Sequence, residues 1–413
     1  MADLSNPTLP ANDELLVEIY PPVEDKSTNI IKVIGVGGGG SNAVANMYKD
    51  HPTGVRFAVC NTDSQALSHS PVPARILLGT EGLGVGGVPE KGYVAAKASL
   101  EATSALFQDD TRMVFITAGM GGGTGTGAAP VIAQQAKERG LLTIGIVTLP
   151  FAFERRRRID KALKGLIQLH DTVDALLVIN NERLLQVYDD SATTALQAFK
   201  FADDILSRAT LSIAEIITIE GIINRDFCDV RSTMENGGSA LISVGHGEGE
   251  GRIFKAMHDA LNSPLLTGVR IEDAKRLLCI VYTGEKSPVC ISEFNDLQDF
   301  MEELSPDVEF IFGLYPDAAL DDEVKVSIIA SGFDESFPND LDSLYEKYYG
   351  QASHATSHGS TSADAPVPPD NPSPSAETEP PAPTPPDKTP KRPNSPTWRD
   401  RLNSYLTQIF EEN

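Results

Sequence analysis

The sequence predicts an α/β fold: a Rossmann-like domain on a parallel sheet, a long central helix, a smaller α+β domain and a disordered C-terminal linker. Three observations predict it. Between about residues 30 and 190, short β-branched runs alternate with Ala-rich helical stretches, the pattern of a doubly wound parallel sheet covered on both faces. Residues 192–219 carry apolar positions at helical spacing with no proline among them, which reads as one long connecting helix. A second group of strands ends near Phe333, and residues 351–396 then turn to Ser, Thr, Ala and thirteen prolines, a composition that cannot bury enough surface to offset chain entropy.

Taken in order, residues 1–29 are polar and proline-punctuated, with one apolar patch at Leu15, Leu16 and Val17, and read as a disordered arm. From Ile30, IIKVIGVGGGG reads as a buried strand entering a glycine turn, and SNAVANMYK as a helix opening there with Ser41 or Asn42 near its cap. VRFAVCNTD, ARILLG, RMVFITAG, LLTIGIVTLPF and ALLVIN supply the other strands of a first domain, 30–191. The connector is assigned to 192–223. A second domain, 224–333, follows with strands ALISVGHG, RLLCIVYTG, VEFIFGLY and VKVSIIASGF and a helix between Ser292 and Leu304. Residues 334–396 form the start of a tail, with a short helix possible in its acidic, tyrosine-bearing first part, and then the linker. In the last segment, 397–413, Trp398, Leu402, Tyr405, Leu406, Ile409 and Phe410 fall on one helical face. That face has no core of its own to join, so we read it as a peptide that folds into a partner's groove.

Composition narrows the function classes. A formal charge of −24 over 413 residues argues against nucleic acid or anionic lipid as a bulk partner, because both demand a basic surface. No run approaches the roughly 18 apolar residues of a spanning helix, and the N-terminus lacks the basic-then-apolar order of a signal peptide; a cytoplasmic protein without direct membrane insertion is expected. Cys60, Cys228, Cys279 and Cys290 show no CxxC or Cys/His spacing, so they are expected to be small buried hydrophobes, and no protein-held metal is predicted.

Two glycine-rich loops carry the chemistry. Gly37 to Gly40 stand between a strand and a helix, where backbone N–H groups and the positive helix end can face a phosphate. A dinucleotide-binding turn reads the same way, and Asp63 nearly supplies the acidic residue that such a site wants on its second strand. The second loop, Gly119 to Gly127 (GMGGGTGTG), lies after the strand RMVFITA and before the helix AAPVIAQQAKERG, read from Ala128, and has no place in a dehydrogenase. Its glycines let the main chain approach a polyphosphate, its N–H groups form an anion nest, and the hydroxyls of Thr124 and Thr126 are further donors. No GxxxxGK[ST] occurs, so backbone dipoles and a bound cation, Mg²⁺, are expected to meet the phosphate charge.

GGGTGTG is similar to the signature of the tubulin superfamily in its FtsZ form, and the chain resembles the FtsZ family from about Ile30 to Phe333. The resemblance implies a GTP/GDP site built by Gly38, Gly39, Gly40 and Asn42; Asn61 beneath base and ribose; Gly84 and Gly86 in a loop closing over the γ-phosphate; Gly121, Gly122, Gly123, Thr124, Gly125, Thr126 and Gly127; and Glu154 and Arg158 on sugar and phosphate. It implies a purine pocket of Asn181, Phe199 and Asp204, in which an amide and a carboxylate read the base edge and an aromatic ring stacks on its face. NRDFCDVR resembles the synergy loop, with Asn224, Asp226 and Asp229 orienting a water at the γ-phosphate of the next subunit. Self-association into head-to-tail filaments at the mid-cell division site, and recruitment of a division-ring adaptor or membrane tether through 397–413, follow from the same resemblance.

The chain departs from the family pattern in places. Arg155 follows Glu154 where a glycine is usual, leaving open which of Arg155 to Arg158 reaches nucleotide. Lys200 and Phe201 replace small residues, Arg225 stands at an apolar or neutral position, and the C-terminal peptide lacks the acidic-Pro-aromatic-Leu-Arg order. Two rival readings stay open: an NAD-dependent oxidoreductase using the first loop alone, and a GTP-binding scaffold that assembles but barely hydrolyses.

Overall fold

The computed structural model describes residues 29–350 apart from 51, 188–193, 219–221, 224–226, 263–270, 334–336 and 339. The elements run β1 (Ile31–Val36), α1 (Gly37–Lys49), β2 (Val55–Asn61), α2 (Ser64–Ser68), β3 (Ala74–Leu77), α3 (Pro89–Ala98), α4 (Leu100–Ser104), β4 (Met113–Gly119), α5 (Thr124–Lys137), β5 (Leu142–Leu149), α6 (Arg156–His170), β6 (Ala175–Asn180) and α7 (Asn181–Val187). They continue with α8 (Ala195–Thr218), α9 (Phe227–Met234), β7 (Gly238–Gly247), α10 (Arg252–Leu261), β8 (Arg276–Thr283), α11 (Phe294–Glu303), β9 (Glu309–Pro316), β10 (Val324–Ser331) and α12 (Leu341–Tyr349).

The apolar runs of the first half become parallel strands because both their faces are covered. On β4, Met113 and Phe115 join the core under α1 and α8, while Val114, Ile116 and Ala118 join the core under α5 and α6. A strand with two buried faces has no polar side to alternate with, which is why it reads as continuous hydrophobicity. The strand order β3-β2-β1-β4-β5-β6 reverses between β1 and β4, so the crossovers leave in opposite directions there and open a crevice at the carboxyl ends.

The strands of the first half and those of the second half join in one sheet. β6 pairs in parallel with β7 over Ala175–Leu177 and Gly238–Ala240, giving one ten-stranded sheet that continues β7-β10-β8-β9. Strand neighbours depend on tertiary contacts that local alternation does not encode. Helix α8, about 36 Å long for its 24 residues, spans the join: Ala202, Leu206 and Ile213 pack with the first half, and the Tyr315 hydroxyl donates to the Ile216 carbonyl at 2.9 Å.

One finding differs from expectation. Cys60 and Cys279 are buried, their thiols pushed up to about 12 by desolvation, but Cys228 and Cys290 are exposed; composition gave no means of telling the pairs apart. The acidic, tyrosine-bearing start of the tail holds the short helix that its sequence allowed: α12, capped by Asp340, packs on the first half, with Leu344 and Tyr349 buried in its core. Among the described residues no helix is long and apolar enough to cross a membrane. The N-terminal arm, the linker and the 397–413 peptide lie outside the described residues.

Candidate functional site

At the β1–β4 switch point the two glycine loops lie backbone against backbone. A Cβ on Gly37, whose φ is +72°, would sit 2.6 Å from the Gly125 nitrogen, so side chains are excluded where the segments cross. Both helices begin earlier than the sequence reading placed them. α1 starts at Gly37 and α5 at Thr124: after the left-handed Gly37, Gly38 to Gly40 form the first turn of one, and Thr124 to Gly127 that of the other. Ser41 and Asn42 therefore stand one turn inside α1, not at its cap: Ser41 is buried and Asn42 exposed. The free N–H groups of two helical first turns converge on one crevice, which suits an anion.

A cleft of about 240 Å³ there is lined by Gly38, Gly39, Gly122, Gly123, Thr124, Gly125, Glu154, Arg158 and Asn181 of the predicted set, and also by Gly119, Met120, Thr148 and Pro150. Glu154 is braced: one carboxylate oxygen accepts the Phe151 N–H at 3.0 Å and the other pairs with Arg158 at 2.8 Å. The Asn181 Oδ1 is buried without a hydrogen-bond partner, an orphan acceptor at the cleft wall that a ligand donor would satisfy. The four arginines sort by direction. Arg158 lines the cleft, Arg156 lies 3.7 Å over the Tyr345 ring, Arg157 lines a neighbouring cleft with Lys161 and Lys164, and Arg155 is exposed.

The remaining predicted residues stand around this cleft without lining it. Gly40 is buried, with the Thr117 carbonyl 2.2 Å from where a Cβ would be. Asn61 is buried at the end of β2, its Oδ1 accepting the Thr62 and Asp63 N–H groups. Gly84 and Gly86 have φ of +76° and +58°; the Gly84 N–H donates to the Thr62 carbonyl, and the loop is held by Lys161 Nζ on the Gly87 carbonyl at 2.5 Å. Gly121 donates its N–H to Thr126 Oγ1 at 2.9 Å.

Thr126 and Gly127 do not face the cleft, contrary to the expectation of two phosphate-facing threonine hydroxyls. Thr126 is buried, and Gly127 sits where α3 crosses α5, so close that a Cβ there would fall 2.0 Å from the Pro89 carbonyl. Once α5 starts at Thr124, these residues fall on its inner face. Thr124 keeps its place in the cleft wall and bonds Thr62, Oγ1 to Oγ1, at 2.6 Å. Sequence reasoning missed Thr62, although it adjoins Asn61 in the NTD segment already singled out.

The aromatic end is a cluster. Phe151 stacks on Phe153 at 5.0 Å and meets Phe199 edge-on at 5.1 Å, and Phe153 and Phe199 are both exposed. Asp204 is exposed on α8, and five residues from Phe199 it points off that face. Asp203, four residues on, shares the face; burial, with repulsion from Asp204, pushes its carboxyl up to about 6. Asp63 accepts the Gln65 and Ala66 N–H groups as the cap of α2, which commits the carboxylate that the dehydrogenase rival needs for a ribose.

Asp229 is half-buried on α9; Asn224 and Asp226 lie outside the described residues. α9 ends four residues before β7, whose Gly238 donates to the Asp174 carbonyl just ahead of β6. It therefore stands at the amino ends of the parallel strands, the edge opposite the cleft. A strand of seven residues such as β4 separates those edges by roughly 20 Å.

Residues 30–189 match the GTPase domain of the Tubulin/FtsZ family, and residues 238–334 the C-terminal domain of the FtsZ family. The cell division protein FtsZ of Porphyromonas gingivalis is 50% identical over 310 residues, 74% of this chain and 67% of that protein. The chain belongs to the FtsZ family. Cell division protein FtsZ of Aquifex aeolicus is 45% identical over 308 residues, 74% of this chain and 83% of that protein. A solved empty FtsZ dimer from M. jannaschii superposes with a TM-score of 0.68 at 36% identity, covering 76% of this chain and 96% of that one. CetZ2 from Haloferax volcanii, solved as a GTPγS-bound protofilament, has a TM-score of 0.62 at 22% identity, covering 79% and 99%, a likeness of fold. The FtsZ GTPase domain thus holds the cleft, and the FtsZ C-terminal domain spans β7 to β10.

Proposed function

We propose that this protein binds GTP in the β1–β4 crevice and hydrolyses it to GDP and phosphate between head-to-tail copies, forming cytoplasmic filaments at the mid-cell site of bacterial division. The observation that carries this reading is the separation of the glycine cradle and α9 to opposite edges of one sheet. Asp229 on α9, about 20 Å from the cleft, cannot act on a phosphate there within one copy. A second copy stacked edge on edge supplies Asp226 and Asp229, with Asn224, and such a heterologous contact propagates as an open filament. The M. jannaschii relative solved as a dimer supports self-association.

In this reading the N–H groups of Gly38 to Gly40 and Gly122 to Gly125 meet phosphate oxygens, the Gly84–Gly86 loop closes over the γ-phosphate, and Glu154 and Arg158 hold ribose and phosphate. Asn181 and Asp203, the latter in place of Asp204, read the donor edge of guanine while Phe199 stacks. The partner copy's loop orients a water. Its oxygen attacks the γ-phosphorus, the bond to the β-phosphate oxygen breaks, and a carboxylate takes the proton. Mg²⁺ is the proposed companion of GTP. Among the described residues no cluster of three or more His, Cys, Asp or Glu could hold a metal, so the fit is to an ion held by phosphate oxygens and water; when bound it neutralises phosphate charge. The 397–413 peptide is proposed to recruit an adaptor or membrane tether. Asp226→Ala tests the assignment: nucleotide affinity stays near the unsubstituted value while turnover falls by roughly 100-fold or more. Lost binding would contradict it.

A further inference from the structure

The proposed nucleotide site has a wall that is held from outside the GTPase domain's own sequence span. After β10 the chain returns across the first half: the Phe337 ring stacks on His170 at 4.1 Å, at the last residue of α6. α12 then climbs along α6 toward its first residue, where Arg156 lies 3.7 Å over the Tyr345 ring and 3.3 Å from Asp342. At the top, the buried Tyr349 hydroxyl donates to the Pro150 carbonyl at 2.6 Å, and Asn180 Nδ2 donates to the Tyr348 carbonyl.

One anchor point lines the cleft and the other adjoins it. Pro150 lines it, and Asn180 immediately precedes Asn181, which lines it too. Asn180 also accepts the Glu182 N–H at 3.0 Å, and Glu182 accepts the Ala152 N–H at 2.7 Å. The loop after β5 and the start of α7 are therefore fastened to each other and to the end of α12. Two cleft walls converge on one tyrosine and its neighbour.

We infer that α12 is a strap that positions the ribose-facing wall of the nucleotide site, with Tyr349 as the positioning residue that fixes the Pro150 carbonyl. The inference rests on the function proposed above. It also makes α12 the junction between the pocket and the chain that leads from Gly350 through residues 351–396 to the 397–413 peptide, so the tail and the nucleotide wall are joined through one helix.

The test compares two tyrosine-to-phenylalanine variants of the full chain. Y349F removes the hydroxyl on Pro150. Y315F removes an equivalent buried bond, Tyr315 to the Ile216 carbonyl, far from the cleft, and serves as the control for stability alone. Both are expected to lower the thermal midpoint by similar amounts. The Kd for a fluorescent GDP analogue, measured well below both midpoints, is expected to rise roughly three- to tenfold in Y349F, the worth of one hydrogen bond, and to stay unchanged in Y315F. An unchanged Kd in Y349F, or an equal rise in both variants, overturns the inference. Failure of the unsubstituted chain to bind GDP would instead remove the proposed function itself.

Discussion

Phe199 and Asp203 stand four residues apart on α8 and so share one face of the helix, with the Phe199 ring exposed and the Asp203 carboxylate half-buried beside Asp204. An exposed aromatic surface next to a partly desolvated carboxylate suits a purine whose edge presents N–H donors. Because burial and Asp204 raise the Asp203 pKa from 3.8 to about 6, ionisation is disfavoured in the nucleotide-free fold. Stability from this group is therefore full below about pH 4 and declines as pH rises through 6.

Nucleotide binding needs the ionised acceptor, so GDP affinity is expected to fall as pH drops below about 6. Asp203→Asn is expected to remove that pH dependence and to weaken binding at pH 7, while raising the thermal midpoint of the nucleotide-free protein. Equilibrium binding across pH 5–8 checks this, with Asp204→Asn as the comparison that leaves binding nearly intact.

The glycines of the second loop divide into two kinds. A methyl at Gly122 meets nothing within 4 Å, and Gly122 lines the cleft, whereas a methyl at Gly127 falls 2.0 Å from the Pro89 carbonyl. Gly122→Ala is expected to fold with a thermal midpoint within a few degrees of the unsubstituted protein and to weaken nucleotide binding at least tenfold, roughly 1.4 kcal/mol. Gly127→Ala is expected to force α3 off α5 and to lower the midpoint sharply or yield insoluble protein. Melting curves and a GDP-binding assay on the two variants separate cradle from packing.

Arg155 is held at φ +74°, ψ 153°, a region that side-chain-bearing residues enter at a cost of about 1–3 kcal/mol. The turn it forms is fixed on both sides, since its N–H donates to Ala152 and its carbonyl accepts from Arg158 and Ile159. Glycine enters this region freely but loses more chain entropy on folding. Arg155→Gly is therefore expected to stabilise the fold by about 1 kcal/mol and to leave nucleotide affinity unchanged, because the exposed Arg155 side chain lies outside the cleft wall. Thermal denaturation and GDP titration check both halves.

Much of this was legible in the residues because local chemistry was enough. The glycine loops announced themselves by composition, and β1, β2 and β4 to β6 by runs that only a doubly covered strand supports. What stayed hidden depended on three-dimensional neighbours. Whether Thr126 faces ligand or helix turns on α5 starting at Thr124 instead of after Gly127. Asp204 and Asp203 are adjacent in sequence, and only the face shared with Phe199 separates them. The acidic, tyrosine-bearing segment after Phe333 looks like tail until Tyr349 is seen in the core beneath Pro150. The merging of two strand groups through β6 and β7 rests on three residue pairs, for which no local signal exists.

The most direct test of the central claim is GTP turnover per molecule measured as a function of protein concentration, with light scattering recorded on the same samples. The cleft and α9 at opposite edges of one sheet predict negligible turnover in dilute solution and a rise steeper than linear once assembly begins. Turnover strictly proportional to protein concentration down to the dilute limit, with no scattering, would contradict a site shared between copies.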